Sequence, residues 1–367
     1  MPTAPRKPVT AITLGDPAGI GPEIVLETIL DGDLHDVCAP FVVGNRTALE
    51  RAAVIQGRPA PRIHPIDGPE QAEFRPGTID LLDTGVDPEA EIDFGRIQVT
   101  AARQAYSYIE RSIDLGLAGR IDAVSTSPIN KAALAAAGIE HIGHTEIYQH
   151  LTGAPYALTM FNVHKLRVFF ATRHVALREA CDLITRDRIR AHLVDIDYEL
   201  RRLGIPSPRI AVAALNPHVG ENGMFGTEEI EHLAPAVADA QDWGIDAVGP
   251  LSADAIFAFA LDGRYDAILS LYHDQGHIAC KTHDFHKAVT ITHGLPFMRS
   301  SVDHGTAFDI AGTGVATGES MIEATRVCAR YATMAMRARA EREADGLEVR
   351  RRGIGAQPTC TSTTSAR

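Results

Sequence analysis

Apolar positions along the chain fall into two recurring patterns. Short, almost unbroken apolar runs occupy Val9–Leu14, Phe41–Val43, Ala123–Thr126, Arg167–Ala171, Ile210–Ala214 and Ala267–Leu271. Such runs suit strands covered on both faces, as in a largely parallel sheet. Between them lie helix-like segments at Pro22–Leu30, Ile97–Leu117, Ile129–Ala137, Leu177–Leu203, Thr227–Ala240, Ala253–Leu261 and Ser320–Arg342. Strand and helix patterns in alternation predict α/β layers. The Gly-, Pro- and Asp-rich stretch 57–95 predicts loops, and the polar segment from Asp345 to the end predicts a frayed tail.

A length of 367 residues favours two domains. The charge balance, 35 Lys+Arg against 47 Asp+Glu, is −12, which disfavours nucleic acid and anionic membrane surfaces as partners. No apolar run approaches the ~18–20 residues that span a bilayer. Five scattered cysteines without a CxxC pair fit a reduced, cytoplasmic setting. Lysine is scarce, so each one is a candidate for a specific task.

Gly15-Asp16-Pro17-Ala18-Gly19-Ile20-Gly21-Pro22-Glu23 reads as a tight turn between a strand and a helix. Pro22 suits the first helical turn, where its missing N–H costs nothing. The segment is not a dinucleotide-binding fingerprint, because Ile24 stands where the third Gly belongs. A purely structural turn and a ligand-binding turn both remain open.

Three histidines, His174, His218 and His273, lie at or just beyond predicted strand ends. Three imidazoles from separate strand ends suit one divalent cation with open positions for substrate, Zn, Co, Ni or Fe ahead of Mg. With 16 histidines in the chain, chance placement is the competing account. His277 stands four residues after His273, but the Glu of a metalloprotease motif is missing. His283, His286 and His293 read as solvated loop residues.

His144 and Thr145 open a helix-like segment that offers donors to an anion, or simply an N-cap with Thr145 as the cap. Lys281 and Arg299 suit a carboxylate or phosphate, or plain solvated charges. Asp254 and Asp274 are candidates for ligating metal, orienting a histidine or moving a proton.

The strings GDPAGIGPE (15–23), GHTE (143–146), HVAL (174–177), LNPHVGENGMFGTEE (215–229), SADAIF (252–257), YHDQG (272–276) and SVDHGTAFDIAG (301–312) closely resemble the 4-hydroxythreonine-4-phosphate dehydrogenase family. The likeness runs in order from about residue 10 to 330. The first and last strings also resemble the wider isocitrate/isopropylmalate dehydrogenase superfamily. The resemblance implies two α/β/α domains with a cleft between them, namely 1–138 with 306–344 and 139–305; the polar composition of 345–367 predicts a disordered tail after them. It also implies a homodimer whose active site is shared between subunits.

By position, the resemblance makes His174, His218 and His273 metal ligands, with Zn first and Co or Mg as alternatives. His144, Thr145, Lys281, Thr290 and Arg299 become substrate contacts, and Lys281, Asp274 and Asp254 catalytic candidates. NAD or NADP would lie against His304, Gly305, Thr306, Ala307, Asp309 and Gly312. The implied reaction on a small anionic substrate is metal-dependent oxidation of a phosphorylated 3-hydroxy acid followed by decarboxylation. Thr290 replaces the family's Asn, His293 a Leu and His277 an apolar residue, so the substrate is less firmly implied than the reaction. A carboxylated cyclohexadiene cis-diol is the alternative substrate. A three-histidine metal hydrolase and a non-catalytic metabolite-binding paralogue are the competing classes.

Overall fold

The computed structural model describes residues 6–352 apart from 89 and 142. Its strands, in chain order, are β1 (Val9–Thr13), β2 (Ala39–Gly44), β3 (Ile63–Pro65), β4 (Ile79–Asp83), β5 (Ala123–Thr126) and β6 (Leu158–Val163). They continue as β7 (Leu166–Phe170), β8 (Ile210–Ala213), β9 (Ala247–Leu251), β10 (Ala267–Ser270), β11 (Val289–His293) and β12 (Met298–Val302). The α-helices are α1 (Gly21–Asp31), α2 (Arg46–Ile55), α3 (Val99–Leu117), α4 (Lys131–Ala136), α5 (His144–Thr152) and α6 (Leu177–Asp182). After them come α7 (Arg186–Arg202), α8 (Ala234–Asp242), α9 (Ile256–Leu261), α10 (His273–His283) and α11 (Glu319–Asp345). This is the α/β class that the alternating pattern predicts.

The described residues pack as two compact units, 6–157 with 289–333 and 158–288 with 334–352. In the first, the strand order is β3-β4-β2-β1-β5-β12-β11, parallel except for the β11/β12 hairpin. Its central strands bury Ile12, Val42 and Val124 completely, which explains their unbroken apolar runs. β1 has β2 on one side and β5 on the other. The turn after it therefore lies where strand order reverses, the usual place for a ligand in an open α/β sheet.

In the second unit the order is β6-β7-β10-β8-β9, with only the β6/β7 pair antiparallel. Its core gathers Phe161, Val168, Phe170, Ala211 and Ile268 from the strands with Ile256 and Cys280 from α9 and α10.

Local chemistry sets several boundaries. The Asn45 and Asn130 side chains accept the Ala48 and Ala133 N–H groups at 3.1 and 2.9 Å, capping α2 and α4. Thr185 caps α7 the same way, accepting from Arg188, and so divides the single helix predicted over Leu177–Leu203 into α6 and α7. The stretch 57–95, predicted as loops, contains β3 and β4. Ile63–Pro65 is too short to show a period and is defined by pairing with Ile79–Leu81. Of the segment expected to fray, α11 covers Asp345, and the chain at 350–352 is tied to α7. Arg201 donates to the Arg350 carbonyl at 2.7 Å and Arg351 pairs with Asp195 at 2.8 Å. The rest of that expectation falls outside the described residues. Among the described residues no helix is long and apolar enough to cross a membrane.

Candidate functional site

In the first unit, the β11/β12 register sets Thr292 opposite Arg299, while β5 flanks β12 on its other side. Arg299 is only 2% exposed. Its guanidinium donates to the Thr292 hydroxyl at 2.9 Å and the Thr126 hydroxyl at 2.8 Å. It also lies 5.3 Å from the centre of the Tyr148 ring, whose hydroxyl bonds Ser112 at 2.6 Å. Both hydrogen-bond acceptors are neutral hydroxyls, so no carboxylate compensates the buried charge through a hydrogen bond. Burial pulls the guanidinium down to about 10 and pushes the Tyr148 phenol up to about 12. The buried Arg299 Nε has no hydrogen-bond partner.

His144 is the first residue of α5, and Gly143, not Thr145, occupies the cap position, with no side-chain cap bond. Its Nε2 is shut off from solvent and also lacks a hydrogen-bond partner. Burial first, then the Arg299 and Lys131 charges, hold the imidazole well below its ordinary pKa, hence neutral. Thr145 is half-buried beside it, and Thr290 is a half-buried β11 residue paired with Ser301. Unspent polar atoms and a buried cation with no hydrogen-bonded carboxylate make this region receptive to an anion. His293, expected in a solvated loop, is buried in β11 at 2% exposure.

The segment His304–Gly312 is fastened to the first Gly-rich turn. Ile20 N–H donates to the Thr306 carbonyl at 3.0 Å, and a Cβ at Gly19 would fall 2.8 Å from Thr306 atoms. The fully buried Glu23 carboxylate accepts the N–H groups of Gly312 (2.8 Å) and Gly314 (3.0 Å). Thr306 is buried, while His304, Gly305 and Asp309 are exposed, and Ala307 takes the left-handed conformation at φ 43°. Asp16, in the same turn, is pushed up to about 6 by burial, against the opposing effect of the Ala18 and Asn130 N–H groups. A braced loop with an exposed rim fits a cofactor's polar edge.

In the second unit, His174, His218 and His273 follow the carboxyl ends of β7, β8 and β10, three neighbouring parallel strands. The His174 and His273 rings are 5.8 Å apart, and His273 Nδ1 bonds the Asp274 carboxylate at 2.7 Å. His218 stands on a turn whose residues 218–222 all adopt positive φ, from 43° to 76°. Glu229 clamps that turn by accepting from the Leu215 and Asn216 N–H groups at 2.8 and 2.7 Å. Among the described residues no three His, Cys, Asp or Glu side chains gather closely enough to hold a metal ion. The structure thus pairs His174 with His273 and does not bring His218 to them. An imidazole-based donor set with Asp274 behind His273 nevertheless fits a divalent cation of the Zn or Co type.

Lys281 lies two turns along α10 from His273, its ammonium 5.5 Å from the Phe285 ring centre. Asp254 is exposed and accepts the Ser252 hydroxyl at 2.7 Å, so of the two acidic candidates only Asp274 bonds a histidine. His283 and His286 are exposed, His283 as the last residue of α10. Sequence reasoning missed Thr126, Thr292, Tyr148 and Lys131. The alternation in Val289–His293 was the one available signal, since it puts Thr290 and Thr292 on one face of β11.

A model of the family described as pyridoxal phosphate biosynthetic protein PdxA matches residues 36–328. The chain belongs to this family. A relative from Symbiobacterium thermophilum, provisionally named D-threonate 4-phosphate dehydrogenase, is 49% identical over 91% of this chain and 99% of its own. A crystal structure of 4-hydroxythreonine-4-phosphate dehydrogenase from Klebsiella pneumoniae matches with 42% identity and a TM-score of 0.84, covering 89% of this chain and 98% of that one. A terephthalate 1,2-cis-dihydrodiol dehydrogenase from Burkholderia xenovorans matches more distantly, at 26% identity and a TM-score of 0.61, over 89% and 98%. The chain is a dehydrogenase of the PdxA family.

Proposed function

We propose that this PdxA-family enzyme oxidises the alcohol β to the carboxylate of a four-carbon hydroxy-acid 4-phosphate and then releases CO₂. D-threonate 4-phosphate is the leading substrate and 4-phosphohydroxy-L-threonine the second. The observation that carries the reading is Arg299, a buried cation held by two hydroxyls with an unspent Nε. Burying a charge without a hydrogen-bonded carboxylate is costly, and an anionic ligand relieves that cost. The 49% identity to a relative named for D-threonate 4-phosphate, against 26% to the dihydrodiol enzyme, supports the phosphorylated acid over the cyclic diol.

Arg299, His144 and Thr145 bind the anionic part of the substrate, Thr290 reads its neighbouring hydroxyl, and Lys281 grips a second anionic group. Thr290 offers one hydroxyl and no carboxamide, which suits a sugar acid. His174, His218 and His273 would hold a divalent cation, which would supply the Lewis acidity that acidifies the reacting hydroxyl, and residues 304–312 would hold NAD or NADP, which would supply the hydride acceptor. Asp274 holds the Nδ1 side of His273, and Lys281 or Asp274 takes the hydroxyl proton. Loss of CO₂ leaves its bonding pair on the remaining carbons, and protonation there completes the product.

The same reading includes a homodimer. In the second unit Met224, Phe225 and Ile230 are 73%, 49% and 54% exposed, an apolar surface that a second copy would cover.

The test is reduction of NAD⁺ and NADP⁺ across D-threonate, D-erythronate and hydroxythreonine 4-phosphates and a carboxylated cis-dihydrodiol, with evolved CO₂ trapped. One CO₂ per reduced nicotinamide, with D-threonate 4-phosphate preferred, is expected. Turnover of the diol alone, or metal-dependent hydrolysis without nicotinamide reduction, overturns the reading.

A further inference from the structure

We propose that His277 is a positioning residue for His273, a flat wedge that fixes the plane of the His273 ring. The inference rests on the proposed role of His273 as a metal ligand. It starts from Gly276, where an added Cβ would fall 2.6 Å from Phe170 Cε1 and 2.9 Å from Val168 Cγ1. Glycine therefore lets the first turn of α10 lie directly on β7. That close approach presses the next residue, His277, against the aromatic wall of the sheet.

The His277 ring stacks on His273 at 3.9 Å between centres, only 11° from parallel. It also packs on Phe161 at 4.2 Å and Phe170 at 4.8 Å. Phe161 and Phe170 are nearly fully buried and meet edge to face, so the wall is stiff. His277 is thus held between a fixed wall and the candidate ligand His273.

Its Nδ1 is buried without a hydrogen-bond partner. An imidazole that leaves a polar atom unsatisfied contributes less to stability than an apolar side chain of similar size. What it offers instead is a flat face. Asp274 restrains the edge of His273 through Nδ1, and His277 restrains its face. Outer groups that orient a histidine in this way typically matter ~10–100-fold in metal affinity.

Titration of the full-length, metal-stripped protein with Co²⁺, followed by calorimetry and visible absorption, tests this. His277→Leu should weaken binding by ~10–100-fold and shift the Co²⁺ bands, whereas His277→Phe, which keeps a flat ring, should recover most of the affinity. If His277→Leu does not fold, His277→Met serves as the variant without a flat face. Unchanged affinity and bands in that variant, with binding lost in His174→Ala and His273→Ala, sink the positioning role and leave the metal assignment intact. A His277→Phe variant as weak as His277→Leu also sinks it. Co²⁺ binding that survives His273→Ala removes the metal assignment itself, and the inference with it.

Discussion

Arg299 is enclosed on a strand, with both hydrogen-bonding hydroxyls and an aromatic ring already in place. His174 and His218 stand exposed on loops, and only His174 and His273 approach one another. The cation that must stay charged away from water is organised in advance by β-sheet register, because its cost is incurred on folding. Imidazoles that stay near water carry no comparable desolvation cost, so their final arrangement can await a ligand. The left-handed turn under His218 is the exception. Its non-glycine residues cost roughly 1–2 kcal/mol each in that conformation, and the buried Glu229 clamp offsets part of this.

The largest expected break in this contrast is Arg299→Lys. It keeps the charge but loses the fork that reaches Thr126 and Thr292 together. A drop of about 100–1,000-fold in kcat/KM is expected, corresponding to roughly 3–4 kcal/mol of transition-state binding. Steady-state kinetics with D-threonate 4-phosphate check it, and near-wild-type turnover would show that a point charge suffices.

A buried histidine in the second unit sharpens the comparison. His192 in α7 is 6% exposed, with Nδ1 bonded to the Arg188 carbonyl at 2.8 Å, and burial lowers it from 6.5 to about 4. The unfolded chain therefore binds more protons between those two values, so stability falls with falling pH. The contribution is complete above pH ~6.5 and shrinks toward pH 4, by at most ~3 kcal/mol. Urea midpoints from pH 7 to 4.5 should show a steeper acid loss in wild type than in His192→Gln, and parallel curves would refute the assignment.

The smallest expected effect separates the two acidic candidates. Asp274→Asn removes the carboxylate on His273 Nδ1 and should lower kcat about tenfold, ~1.4 kcal/mol. Asp254→Asn alters only a contact with Ser252 and should leave kcat near wild type. Equal losses in the two variants would mean the Asp274–His273 bond has no special role.

Much of the fold was readable because fully buried strands leave dense apolar runs. β5 was predicted with the boundaries it has, and β1, β7, β8 and β10 to within a residue at either end. β3, β4, β6, β9, β11 and β12 were missed. Ile63–Pro65 is too short to show a period, β9 carries Gly249-Pro250, and Met298–Val302 is largely polar. These strands are strands because neighbours supply hydrogen-bond partners. The helix over 177–203 failed on one residue, since Thr185 reads as interior until its hydroxyl is seen capping α7.

The sequence by itself determined the α/β class, the turn after β1, the strand-end placement of the three histidines and the family. Each follows from local apolar density or from strings of residues in order. Only the tertiary structure decided that Arg299 is a buried cation held by Thr126, Thr292 and Tyr148, that Glu23 braces Gly312, and that His277 stacks on His273. Those relations join residues as much as 289 positions apart. They depend on register, close approach and burial, which arise only when the chain has packed.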